Sequence, residues 1–102
     1  MSTGKFDRLL SEDQLGDVAL RFRLLGEPMR LRILQAVCRK PRPVSEIVGA
    51  VGATQANVSK HLALLAGAGI LARRKAGQRV YYGLQDQLAL KLCALVHKHL
   101  AP

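Results

Sequence analysis

The chain has 102 residues, 49% of them hydrophobic, so a single domain with a core of its own is expected; with no tryptophan and 4% aromatics that core must be mostly Leu, Val, Ile and Ala. Sixteen basic against seven acidic residues give a formal charge of +9, which points to a polyanionic partner, either nucleic acid or an anionic membrane surface. The sequence has no apolar run near the roughly 18 residues of a membrane span, no apolar signal-peptide core in "MSTGKFDRLLSEDQ" and no CxxC pairing of Cys38 with Cys93. Membrane insertion, export and a zinc-finger or thioredoxin-type site are therefore not expected, and the location expected is cytoplasmic.

Residues 1–10 read as a loose, flexible tail, and residues 11–100 as the domain. Ser11-Glu-Asp-Gln14 fits a capping box, with Ser11 as N-cap and Gln14 reaching back. The helix it opens carries Leu15, Val18, Ala19, Phe22 and Leu25 at helical spacing and ends at Gly26. Glu27-Pro28 starts a second helix, because proline suits a first helical position. Leu31, Leu34, Val37 and Cys38 form its apolar stripe, and "KPRP", Lys40 to Pro43, stops it. A short helix follows over "VSEIVGAV", and Gly52 permits the chain to reverse after it.

Thr54 is a good N-cap for a fourth helix, in which Val58, Leu62 and Leu65 recur at i, i+4 and i+7 and point inward. Gly67 and Gly69 end that helix. "ILARRK" and "RVYYGL" are expected to be two short strands around Ala76-Gly77-Gln78, with Val80, Tyr82 and Leu84 alternating as in a half-buried strand. Asp86 caps a last helix that runs to about His99, with Leu88, Leu92, Leu95 and Val96 on one face. The fold class expected is mainly α with a β-hairpin wing: a winged helix-turn-helix.

"LGEPMRLRIL" at residues 25–34, "TQANVSKHLALLAGAGIL" from Thr54 and "RRKAGQRVYYGL" from Arg73 lie in the order of a known pattern. Over roughly residues 15–100 the chain resembles the ArsR/SmtB family of winged-helix repressors. The first block resembles its helix-opening signature, the second its recognition helix and the third its wing. The resemblance implies a homodimer that binds a double-stranded DNA operator and is released by a metal ion or a reactive small molecule.

The fourth helix has the chemistry for that task. An α-helix about 10–12 Å across fits the roughly 12 Å major groove, provided its leading face is polar and its side chains short. Gln55 and Asn57 can offer paired amide contacts to adenine edges, Ser59 can bond a base or a phosphate, and Lys60 can reach guanine or phosphate. Thr54 and the helix N-terminus suit a phosphate, and Ala56 leaves room to touch a thymine methyl. His61 lies near the Val58 and Leu65 side, so packing and DNA contact are both open for it. In the wing, Arg73, Arg74, Lys75 and Arg79 flank the turn and Gln78 lies in it, where a basic tip can lie on phosphates or enter the minor groove. Arg30 and Arg32 suit phosphate contacts or ion pairs within the domain equally well.

The resemblance also implies where sensor sites would lie. The stretch where metal-sensing members carry thiols is here "KPRPVSEIV", with neither cysteine nor histidine. At the family's site on the last helix, Asp86 and His99 match, but Leu88 and Pro102 stand in place of two ligands, and two of four make a poor zinc site. No cofactor is assigned. Cys38, Cys93 and His97 remain, with Cys93 and His97 four apart on one helix face. They are inert core groups, or a redox pair or soft-metal site. Some relatives sense persulfides or oxidants through two cysteines on the second and last helices. A winged helix that binds proteins and no operator is the rival function. An enzyme is not expected, because no nucleophile–base–acid set is apparent; Ser59 and His61 point to different helix faces.

Overall fold

The structure, a computed structural model, describes residues 9–102; most of the expected tail, residues 1–8, lies outside the described residues. The first helix, α1, spans Glu12–Leu25 and opens with the expected capping box. The Ser11 hydroxyl accepts from the Gln14 backbone N–H at 3.1 Å, and the Gln14 side chain accepts from the Ser11 N–H at 2.9 Å. Two of the four orphan donors of the helix end are thereby satisfied. Helix α2, Pro28–Val37, has proline in its first turn, and its N-cap Glu27 accepts from the Arg30 N–H at 2.9 Å.

The sequence pattern gave no sign of β1, Arg42–Pro43, which lies in the stretch expected only to stop α2. It pairs with β3, so that Arg42 faces Tyr82 and Pro43 faces Tyr81. Helix α3, Val44–Val51, follows at once. Gly52, at φ 70°, turns the chain in the left-handed region that a side chain would disfavour, and α4, Gln55–Gly67, begins two residues after the next position. Strands β2, Leu71–Ala76, and β3, Arg79–Leu84, form an antiparallel hairpin with Ala76 opposite Arg79. The loop is therefore Gly77-Gln78, one residue shorter than expected, and Gly77 supplies the positive φ of 62°. The sheet order is β1-β3-β2. Helix α5, Gln87–Leu100, closes the chain, capped by the Asp86 carboxylate, which accepts from the Leu88 N–H at 3.0 Å.

One apolar cluster holds these elements together. Ile33, Ile47, Val58, Leu62, Leu65 and Ile70 are fully buried in it, so α2, α3 and α4 share their inner faces. Leu71 and Tyr82 join the hairpin base to the cluster; Leu24 and Leu25 join α1, and Ala89 joins α5. The expected single apolar face of α5 is divided. Ala89 is buried and Leu92 and Cys93 pack against the core, whereas Leu88, Leu95 and Val96 are exposed. On α1, Leu15, Val18 and Phe22 are exposed as well. An ion pair ties the two flanking helices together, with Arg21 Nη1 3.1 Å from the Asp86 carboxylate. No helix among the described residues is long and apolar enough to cross a membrane.

Candidate nucleic-acid interface

The leading end of α4 is built as its sequence requires. The Thr54 hydroxyl accepts from the Asn57 N–H at 3.2 Å, which fixes the first turn. Val58, Leu62 and Leu65 are buried with no exposed surface, so the opposite side of the helix must face out. Gln55, Ala56, Asn57, Ser59 and Lys60 are all exposed there, together with Thr54. The structure thus brings six of the sequence-predicted residues to one surface.

His61 is not among them. Its side chain is 12% exposed, and its Nδ1 lies 4.0 Å from a Glu27 carboxylate oxygen and 3.5 Å from an Arg30 Nη1. Of the two roles open to it, the structure supports packing against the start of α2. Arg30 also turns inward, donating through Nε to the Leu24 carbonyl at 2.8 Å and through Nη2 to the Arg23 carbonyl at 3.5 Å. It satisfies the last carbonyls of α1 and braces α4 through His61.

The wing presents Arg73, Arg74, Lys75, Gln78 and Arg79 as exposed residues. Register pairs Arg74 with Tyr81 and Lys75 with Val80. The Arg79 guanidinium sits 5.8 Å from the centre of the Tyr81 ring, within cation–π range. Arg79 also reaches α3: its Nη2 is 3.5 Å from the Ser45 hydroxyl and 4.0 Å from a Glu46 carboxylate oxygen. Sequence reasoning missed Arg42, Ser45 and Glu46, because the contacts join positions far apart in the chain and only an i, i+4 spacing of Arg42 with Glu46 was on view.

The candidate sensor residues lie at the end of α2, for Cys38, and on α5, for Cys93 and His97. Both cysteines are free thiols. The Cys38 thiol donates at the end of α2 to the Gln35 carbonyl, at 3.3 Å. Cys93 and His97 line a groove of about 360 Å³ with Phe22, Leu25, Leu31, Leu92, Val96 and Leu100, and Cys38 is not in its lining. Among the described residues no three His, Cys, Asp or Glu side chains lie close enough to hold a metal ion. A soft-metal site of Cys38, Cys93 and His97 is therefore not assembled within the single described chain. Asp86 is engaged by the Leu88 N–H and by Arg21.

Burial pushes the Cys93 thiol above its ordinary pKa, which keeps it protonated at neutral pH, and the thiolate is the reactive form. Alkylation of Cys93 by iodoacetamide in the native protein is expected to be slow at pH 7 and to accelerate as pH rises through the usual thiol range and beyond. Peptide mass spectrometry over a pH series checks this. Native labelling as fast as in urea at pH 7 would contradict it.

A polar-faced helix held by a buried leucine stripe, followed by a basic hairpin, defines a winged helix-turn-helix protein of the DNA-binding class. The model of bacterial regulatory proteins of the arsR family matches residues 27–73. The chain is 32% identical over 92 residues to the transcriptional repressor SmtB homolog of Synechocystis sp., covering 90% of this chain and 70% of that one. The crystal structure of Rv0081 from Mycobacterium tuberculosis superposes with a TM-score of 0.79 at 32% identity, covering 88% of this chain and 91% of that one. The solution structure of the homodimeric winged helix-turn-helix DNA-binding domain of Mb0332 from Mycobacterium bovis matches at 29% identity with a TM-score of 0.76, over 88% and 86% of the two chains. The chain belongs to the ArsR family. It is a DNA-binding transcriptional regulator and not an enzyme.

Proposed function

We propose that residues 11–100 act as a homodimeric repressor that binds a pseudo-palindromic operator in the cytoplasm. The observation that carries the reading is the exposed row Gln55, Ala56, Asn57, Ser59 and Lys60 on a helix anchored by three fully buried side chains. Gln55 and Asn57 supply base-edge amides, Ser59 and Lys60 supply base or phosphate contacts, and Thr54 with the N-terminus of α4 supplies phosphate contacts. Arg73, Arg74, Lys75, Gln78 and Arg79 of the wing lie on the flanking backbone. The net charge of +9 per subunit steers the dimer to DNA and makes binding salt-sensitive.

Dimerisation is supported by the homodimeric relative, and its placement on α1 and α5 by their exposed apolar side chains. Two recognition helices then meet successive major grooves about 34–36 Å apart. A small inducer releases the operator by favouring a different spacing of those helices; without such a preference it shifts nothing. Cys93 and His97, which line the groove between α1, α2 and α5, and Cys38 at the end of α2 are the candidate contacts of that inducer.

Duplexes recovered by selection from random sequence, and scrambled versions of them, test the assignment. Gln55→Ala or Lys60→Ala should cost about 1–3 kcal/mol on the selected duplex where the side chain reads a base. Arg74→Ala should weaken both duplexes evenly and reduce the salt slope by about one ion per subunit. Unchanged discrimination by Gln55→Ala would remove α4's front as the reading face. No preference of the wild type for any duplex would favour a protein-binding module.

A further inference from the structure

Glu46 is placed between two arginines, Arg42 of β1 and Arg79 of the wing. One carboxylate oxygen is 3.4 Å from Arg42 Nη1, and the other is 4.0 Å from Arg79 Nη2. The same Arg79 nitrogen lies 3.5 Å from the Ser45 hydroxyl. The Arg42 Nε is buried and has no hydrogen-bond partner among the described residues, so Glu46 is the acid that offsets this guanidinium. Arg79 is a wing cation that reaches α3, and it also lies over the Tyr81 ring. A phosphate is an anion of the same kind as the Glu46 carboxylate, and it needs the same guanidinium edge.

We propose that Glu46 is a built-in competitor of the DNA backbone: in the free protein it holds Arg79 and Arg42, and bound phosphate takes Arg79 from it. The proposal rests on the reading of the wing as a phosphate-binding element. Glu46 is half-exposed, with 48% of its side chain accessible, and Arg79 is 53% accessible, so each pair is screened and weak. A weak latch can be opened by each phosphate contact, yet it lowers affinity for every DNA sequence. It also softens the salt dependence. Binding releases cations from the phosphate but frees a carboxylate that gathers cations again.

The experiment compares wild type, Glu46→Gln, Arg79→Ala and the double variant on a selected duplex and its scrambled form over several salt concentrations. Glu46→Gln should bind both duplexes about two- to fivefold more tightly per subunit engaged, with a steeper salt slope, and much of the gain should vanish in the Arg79→Ala background. Unchanged or weaker binding by Glu46→Gln, while Arg79→Ala weakens both duplexes as the loss of a phosphate contact should, overturns the competitor role and leaves the wing reading intact. An inert Arg79→Ala overturns the competitor role, and together with an inert Arg74→Ala it overturns the wing reading as well. Circular dichroism melts of each variant identify a folding defect, and Glu46→Asp, which keeps the charge, should bind DNA more like wild type than Glu46→Gln does.

Discussion

Leu95→Glu is expected to turn a dimer into a folded monomer and to lower operator affinity by at least about a hundredfold, because the second recognition helix is no longer delivered at high local concentration. The argument begins with exposure. Leu95 is 65% exposed, Phe22 60% and Leu100 74%, on neighbouring helices of one chain. Apolar surface in a contiguous patch marks an interaction site, whereas scattered apolar residues do not. Leu88 and Val96 extend the same side of α5, and Leu15 and Val18 extend α1. An unpaired carboxylate buried in such a contact is costly, yet in the isolated subunit it faces water and disturbs nothing. Leu95→Glu should therefore keep its helical circular dichroism while its sedimentation coefficient falls to that of a monomer. A Leu95→Glu protein that sediments as a dimer would move the interface away from α5.

The sequence revealed those features whose cause is local. Ser11 with Gln14, Pro28 in a first turn and Thr54 before Asn57 are each satisfied within a few residues, so spacing alone exposes them. The leucine stripe of α4 is equally legible, because one side of a helix was apolar and the other was not. Strand β1 has no such signal: two residues, one of them proline, pair with a strand some forty positions later. His61 was ambiguous by helical angle, and Arg30, which settles its place, comes from another helix. The stripe on α5 reads as one face, because periodicity does not distinguish an apolar side chain that packs within its own chain from one that packs against a second. Ala89 proved to be the inward residue, small enough to let α5 lie close to the core. The link from Glu46 to Arg79 joins α3 to the wing and appears only in three dimensions.

Leu62→Ala is expected to remove about 2–5 kcal/mol of stability, a large part of the roughly 5–15 kcal/mol that a domain possesses. Leu62 has no exposed surface and lies in the cluster formed by Ile33, Ile47, Val58 and Leu65. The truncation leaves a cavity that a helix pinned on both sides by Val58 and Leu65 cannot easily collapse. Ser59→Ala, one turn earlier on the exposed side of the same helix, should change stability by no more than about 0.5 kcal/mol while it weakens DNA binding. The pair separates what anchors α4 from what α4 presents. Urea unfolding at one fixed protein concentration checks both, since a dimer's stability depends on concentration. The midpoint should fall for Leu62→Ala with little change in slope, the mark of altered stability with a similar unfolded state. A loss below about 1 kcal/mol would mean that the site relaxes around the smaller side chain. In that case the leucine stripe would not be what holds the recognition helix in place.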